Sequence, residues 1–171
     1  MEFLLRNAML AIILLFVPVQ GWAFSHEPIG FNDLYMGEKL RFIGQRYVLE
    51  HSKADSGKPY EEYFVFSAPN VHTTYLGVPL MENVPLVARF HRGKLGFLDL
   101  SFWGESMLER LHDAMVKEYG APNYYNGGTW YWIGNQICLL LVNNDMQSGY
   151  VGRDSYCSVR FVDKSFLRAI T

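Results

Sequence analysis

Apolar and polar residues alternate along this chain in two rhythms. From about Glu105 to Tyr119, the residues Met107, Leu108, Leu111, Met115 and Tyr119 recur at helical spacing, while Glu109, Arg110, Asp113 and Lys117 face the other way. Ser106 and Glu109 match a capping box, Gly120 stands where a left-handed residue ends a helix, and Pro122 blocks continuation. Such a stripe needs a flat apolar surface, and segments of period two supply one on either side. Val84 to His91 and Lys94 to Phe102 predict a hairpin through Arg92-Gly93, with Leu98, Leu100 and Phe102 alternating against Asp99 and Ser101. Thr129 to Ile133 and Gln136 to Val142 predict a second hairpin, with Gly134-Asn135 as a type II′ turn. A last strand near Ser155 to Val162 puts Cys157, Val159 and Phe161 on one face and Tyr156, Ser158 and Arg160 on the other.

The N-terminal third is less regular. Phe31 to Leu34 reads as a short strand ending at Gly37, and Glu38 to Val48 carries Leu40, Ile43, Tyr47 and Val48 at helical spacing. A polar loop at 51–61 precedes a strand at Tyr63 to Ser67, and Thr73 to Leu80 reads as another strand, which Pro79 would confine to an edge or end. The expected architecture is α+β: an antiparallel sheet of about five to six strands, with one or two helices packed on one face and the other face partly open.

The first 23 residues change the setting. Arg6, the twelve apolar residues from Ala8 to Val19, Pro18, and the small residues of Gly21-Trp22-Ala23 read as a cleaved export signal. The apolar run is short of the about 20 residues a spanning helix needs, and no cysteine follows it to carry a lipid. The expectation is a periplasmic or secreted protein with a single α+β domain at 24–171 and no stable membrane anchor after cleavage near Ala23-Phe24. Removing 23 of 171 residues leaves 148, enough for one hydrophobic core. Of 15 Lys and Arg and 17 Asp and Glu, Arg6 and Glu2 leave with the leader, so 14 stand against 16 and no basic face marks a nucleic-acid partner. Export also lets cysteines oxidise, and Cys138 and Cys157 are the only two. Placed opposite each other, with Leu140 facing Ser155 and Val142 facing Arg153, they form a coherent register and a structural disulfide stabilising by roughly 3 kcal/mol.

Catalytic signatures are absent: there is no G-x-S-x-G, H-E-x-x-H, P-loop or dinucleotide fingerprint. The five histidines, His26, His51, His72, His91 and His112, share no ligand spacing, and Asn143-Asn144-Asp145 reads as a turn and not a calcium loop. Asp99 and Glu105 flank a strand-to-helix junction, where the ordinary reading is a solvated surface. No catalytic residue, metal ligand or cofactor is assigned. The unusual local feature is aromatic: Tyr124, Tyr125, Trp130, Tyr131 and Trp132 cluster around Asn126-Gly127-Gly128 as a candidate recognition surface. Core packing is its competing explanation, since Trp130 and Trp132 share one strand side and Tyr131 takes the other.

An exported leader, the G-F-x-D-L stretch Gly30 to Leu34, and a helix ending in Tyr119-Gly120-Ala121-Pro122 before an aromatic strand resemble small exported bacterial proteins of uncharacterised families. The helix-then-meander layout is similar to the SmpA/OmlA outer-membrane assembly lipoproteins and to the β-lactamase inhibitor protein domain. This chain departs from the former in lacking their lipid-bearing cysteine. The resemblance implies a cell-envelope binding module and carries over no functional residue. The resulting expectation is a non-enzymatic binder of a protein partner, either an inhibitor or immunity-type protein or an envelope assembly factor. The alternatives are a glycan or peptidoglycan-fragment binder using the Tyr/Trp cluster and, third, an enzyme with dispersed residues.

Overall fold

The computed structural model describes residues 24, 26–53, 57–66, 74–104, 106–145 and 156–171. The leader at 1–23, His72, Glu105, Arg153 and Ser155 lie outside the described residues. Among the described residues, twelve strands run in chain order: β1 Gly30–Phe31, β2 Leu34–Tyr35, β3 Val48–His51, β4 Glu61–Phe66, β5 Thr74–Tyr75, β6 Val78–Pro79, β7 Leu86–His91, β8 Lys94–Trp103, β9 Tyr124–Asn126, β10 Thr129–Ile133, β11 Ile137–Asn143 and β12 Tyr156–Asp163. Three helices accompany them among the described residues: α1 Leu40–Ile43, α2 Met107–Tyr119 and α3 Lys164–Ile170.

Eight strands form one antiparallel sheet in the order β3-β4-β7-β8-β12-β11-β10-β9. The fold is α+β, and the sheet is larger than the five to six strands expected. Both of its faces are covered. On the first, α2 sets Leu111 and Met115 over Leu98, Leu100, Phe102, Leu139, Leu141, Cys157, Val159 and Phe161. On the second, Phe166 of α3 packs with Phe97, Cys138, Leu140 and Val162. The helices therefore lie on opposite faces, not together on one. The missed helix is α3; Asp163 caps it, its side chain accepting from the amides of Ser165 at 2.6 Å and Phe166 at 3.3 Å.

The hairpin through Arg92-Gly93 forms as expected, with φ of 51° and 70° at the two turn residues and His91 opposite Lys94, the geometry of a type I′ turn. The turn at Gly134-Asn135 does not have the expected geometry. Ile133 faces Cys138, which leaves four residues in the loop, and Gly134 is not left-handed. Its lack of a side chain serves packing: a Cβ there would sit 2.6 Å from the Glu27 carboxyl carbon and 2.7 Å from the Phe24 ring. The Glu27 carboxylate accepts from the amides of Asn135 at 3.0 Å, Gln136 at 2.7 Å and Ile137 at 2.5 Å, a nest of three consecutive donors. This binds the start of the described chain across the end of the second hairpin.

Several local expectations are also revised. The capping box is not formed, because Ser106 adopts φ 59° and its side chain makes no cap bond. The helix expected over Glu38 to Val48 shortens to α1, since Val48 begins β3. Thr73 to Leu80 is not one strand: β5 and β6 pair with each other across Leu76 and Gly77, both at positive φ.

The disulfide is overturned. Both cysteines are free and buried. Cys138 faces Val162, five positions beyond Cys157, and Cys157 faces Asn143. Because side chains alternate along a strand, an odd offset reverses the face, so Cys138 lies under α3 and Cys157 under α2. No rotation of the side chains brings the sulfurs together through the sheet. Burial pushes each thiol up to about 12.

Gly96 is the extra residue where the β7–β8 register shifts, and a Cβ on it would collide with the Phe166 ring. Gly96→Val should cost about 1–3 kcal/mol by displacing α3, read as a lower urea midpoint. An unchanged midpoint would show that Phe166 does not rest on this strand.

Candidate functional site

The aromatic cluster is real in sequence but divided in space. β10 pairs with β9, placing Trp130 opposite Tyr125 and Tyr131 opposite Tyr124. Trp132 is fully buried at 0% exposure, and its indole Nε1 donates to the Gly120 carbonyl at 2.7 Å, fastening the end of α2 to the sheet. Tyr131 is 7% exposed on the second face, packed with Ile133 and Leu140. These two residues belong to the core. Trp130 is half-buried on the helix side, its ring centroid 5.4 Å from that of His112.

What remains exposed is the edge strand. Tyr125 is 51% and Tyr124 39% exposed, one on each face of β9. Tyr125 lies 4.7 Å from the Trp130 ring at 43°, and Tyr124 lies 5.7 Å from Tyr131 at 42°. Each exposed tyrosine thus rests on a better-buried aromatic partner, which limits its rotamers without hiding it. Among the described residues, β9 is bonded to β10 on one side only and ends the sheet.

A second constellation, unrecognised in the sequence, crosses the other face. Arg89 Nε donates to Glu62 at 2.7 Å, and its guanidinium carbon lies 4.4 Å from the Phe97 ring centroid. One strand further, Arg160 Nε donates to Asp99 Oδ2 at 2.9 Å, and Asn144 Nδ2 donates to the Ser158 hydroxyl at 3.2 Å. The row alternates in charge across β4, β7, β8 and β12, with oppositely charged partners on adjacent strands. Asp99 is therefore not the solvated carboxylate expected. Its Oδ1 is buried and has no hydrogen-bond partner among the described residues. Burial pushes its carboxyl above the ordinary range, opposed by the Arg160 guanidinium beside it. The alternating row ties adjacent strands together through ion pairs.

Among the described residues, no group of three His, Cys, Asp or Glu side chains converges as a metal site, and no helix is long and apolar enough to cross a membrane. No family pattern, curated protein or solved structure matches the chain. The likeness to SmpA/OmlA proteins rests on the helix-then-meander layout alone.

Asp99 makes a pH-dependent prediction. Its native carboxyl holds a proton more tightly than the unfolded chain does, so its ionised burial costs stability near neutrality, and that cost is relieved as pH falls through the raised native value toward 3.8. In paired urea titrations, the stability difference between wild type and Asp99→Asn should shift in favour of wild type on acidification across that window. A constant difference, or the opposite trend, would contradict the assignment.

Proposed function

We propose that this is an exported, non-enzymatic binding protein of the bacterial cell envelope, and that it recognises a protein partner at the β9 edge. One observation carries the reading. Tyr124 and Tyr125 are half-exposed on a strand whose outer backbone edge pairs with no other strand among the described residues, in a molecule that buries the neighbouring Tyr131 and Trp132. Such an edge accepts an extended segment by strand addition, with main-chain bonds providing affinity and the two tyrosines contacting alternate side chains of the added strand. Rings already braced by Trp130 and Tyr131 lose little rotamer freedom on contact. The leader pattern at 1–23 supports export. An inhibitor or immunity-type protein and an envelope assembly factor both fit this mode of binding.

A glycan reading has a specific observation of its own, the continuous ring stripe His112, Trp130 and Tyr125 on the helix side. Sugar stacking on it would change tryptophan fluorescence on titration with muropeptides.

Replacing both edge tyrosines, Tyr124→Ala with Tyr125→Ala, should weaken partner capture about 30-fold, the effect of losing one strong interface anchor. Stability should fall by less than about 1 kcal/mol, because both positions are at the surface. Quantitative recovery of cross-linked partner from envelope extract checks this against wild type. Equal recovery by the two proteins would reject the β9 edge, and a flat muropeptide titration would reject the glycan alternative.

A further inference from the structure

On the second face of the sheet, α3 packs over Phe97 and Val162, which stand opposite each other on β8 and β12. Three further pairs follow along the same two strands: Asp99 opposite Arg160, Ser101 opposite Ser158, and Trp103 opposite Tyr156. Opposed residues of an antiparallel pair share a face, as do positions two apart on one strand, so these six side chains form one patch. Their heights differ. Two aromatic rings stand at one end, a guanidinium held by a carboxylate stands at the other, and the short serines between them leave the middle low over about 13 Å of β8. Trp103, which ends β8, is 45% exposed, and it is the one tryptophan among the described residues left so open. Ser101, Tyr156 and Arg160 are partly exposed around it, and Ser158 is the buried floor.

The groups are held in place before any ligand arrives. The Trp103 and Tyr156 ring centroids lie 6.0 Å apart at 39°, and the Tyr156 hydroxyl lies 3.4 Å from Ser101 Oγ. Arg160 is fixed from two directions, Nε donating to Asp99 at 2.9 Å and Nη2 to the Asn144 side-chain oxygen at 3.5 Å, while Asn144 Nδ2 donates to Ser158 at 3.2 Å. A guanidinium has five N–H donors, so Arg160 keeps several unused, and the Trp103 indole N–H has no partner among the described residues. Asp99 matches the charge of Arg160, which leaves the patch without a net charge to attract an ion. A half-exposed ring face beside unused N–H donors suits a ligand with an apolar face and acceptor oxygens at its rim. A pyranose ring has that form. Because N–H donors predominate here, an acetamido carbonyl fits the patch better than hydroxyl groups alone.

We propose that this patch binds a neutral glycan chain of N-acetylated hexosamines, one ring stacking on Trp103 and the acetamido carbonyl of its neighbour accepting from Arg160. The site lies on the opposite face from the stripe of His112, Trp130 and Tyr125 and shares no residue with the β9 edge, so it stands or falls apart from both readings of that region.

The test is an amide chemical-shift titration of the protein with tri-N-acetylchitotriose, run beside glycerol as a polyol with no ring face. Saturable shifts are expected at the amides of 99–103, 144 and 156–160, with Kd about 1 mM or tighter, and none with glycerol. Trp103→Ala should weaken binding about tenfold, and Trp103→Phe, which keeps a ring, by less than about threefold. The dispersion of the amide spectrum shows that each variant is folded. Tyr125→Ala/Trp130→Phe should bind as wild type does. Cellotriose, which has the rings without the acetamido groups, should bind at least about threefold more weakly. Absence of saturable shifts, shifts centred instead on 112, 125 and 130, unchanged affinity in Trp103→Ala, or equal affinity for cellotriose would overturn the proposal.

Discussion

β11 is buried at every position from Ile137 to Val142, and that two-sided burial constrains the rest of the molecule. A strand with apolar side chains on both faces needs a cover on each. The chain supplies α2 on one face and α3 on the other, although the two helices lie far apart in sequence. Burial on both sides also requires continuous apolar residues in place of alternating ones, as the run Ile137-Cys138-Leu139-Leu140-Leu141-Val142 shows. With the centre committed to packing, the exposed aromatic residues are displaced to the sheet's margin, as the tyrosines of β9 show.

The same constraint explains which parts were legible beforehand. α2 has water on one side, so its stripe and its Gly120 stop are visible in the residues, and Arg92-Gly93 names its own turn. Local chemistry sufficed for both. The pairing of β11 with β12 is not local. Residues 144–155 separate the strands, and apolar side chains on both faces of β11 leave the alternation with little power to fix the register. An offset of five then moved Cys138 and Cys157 to opposite sides. The sheet size and the opposed helices escaped for a related reason, since Phe166, Leu167 and Ile170 show a short apolar face without revealing which surface it covers.

Site residues follow the same division. Trp130-Tyr131-Trp132 alternates correctly, but alternation cannot separate core from surface when both faces are covered, and only β9 lies far enough out to leave Tyr124 and Tyr125 exposed. Asp99 illustrates the opposite error. Between Leu98 and Leu100 it resembles an outward-facing polar residue, yet Arg160 meets it from β12, 61 residues away, and allows the carboxylate to be buried. Partners at such separation leave no trace in a local pattern.

The two-faced sheet is tested most directly by its two thiols. Native protein from an oxidising compartment, alkylated before and after unfolding and then weighed by mass spectrometry, should carry no modification while folded and two after unfolding without reductant. A Cys138–Cys157 linked peptide would contradict the account, because that bond requires the two strands in a register that puts both sulfurs on one face.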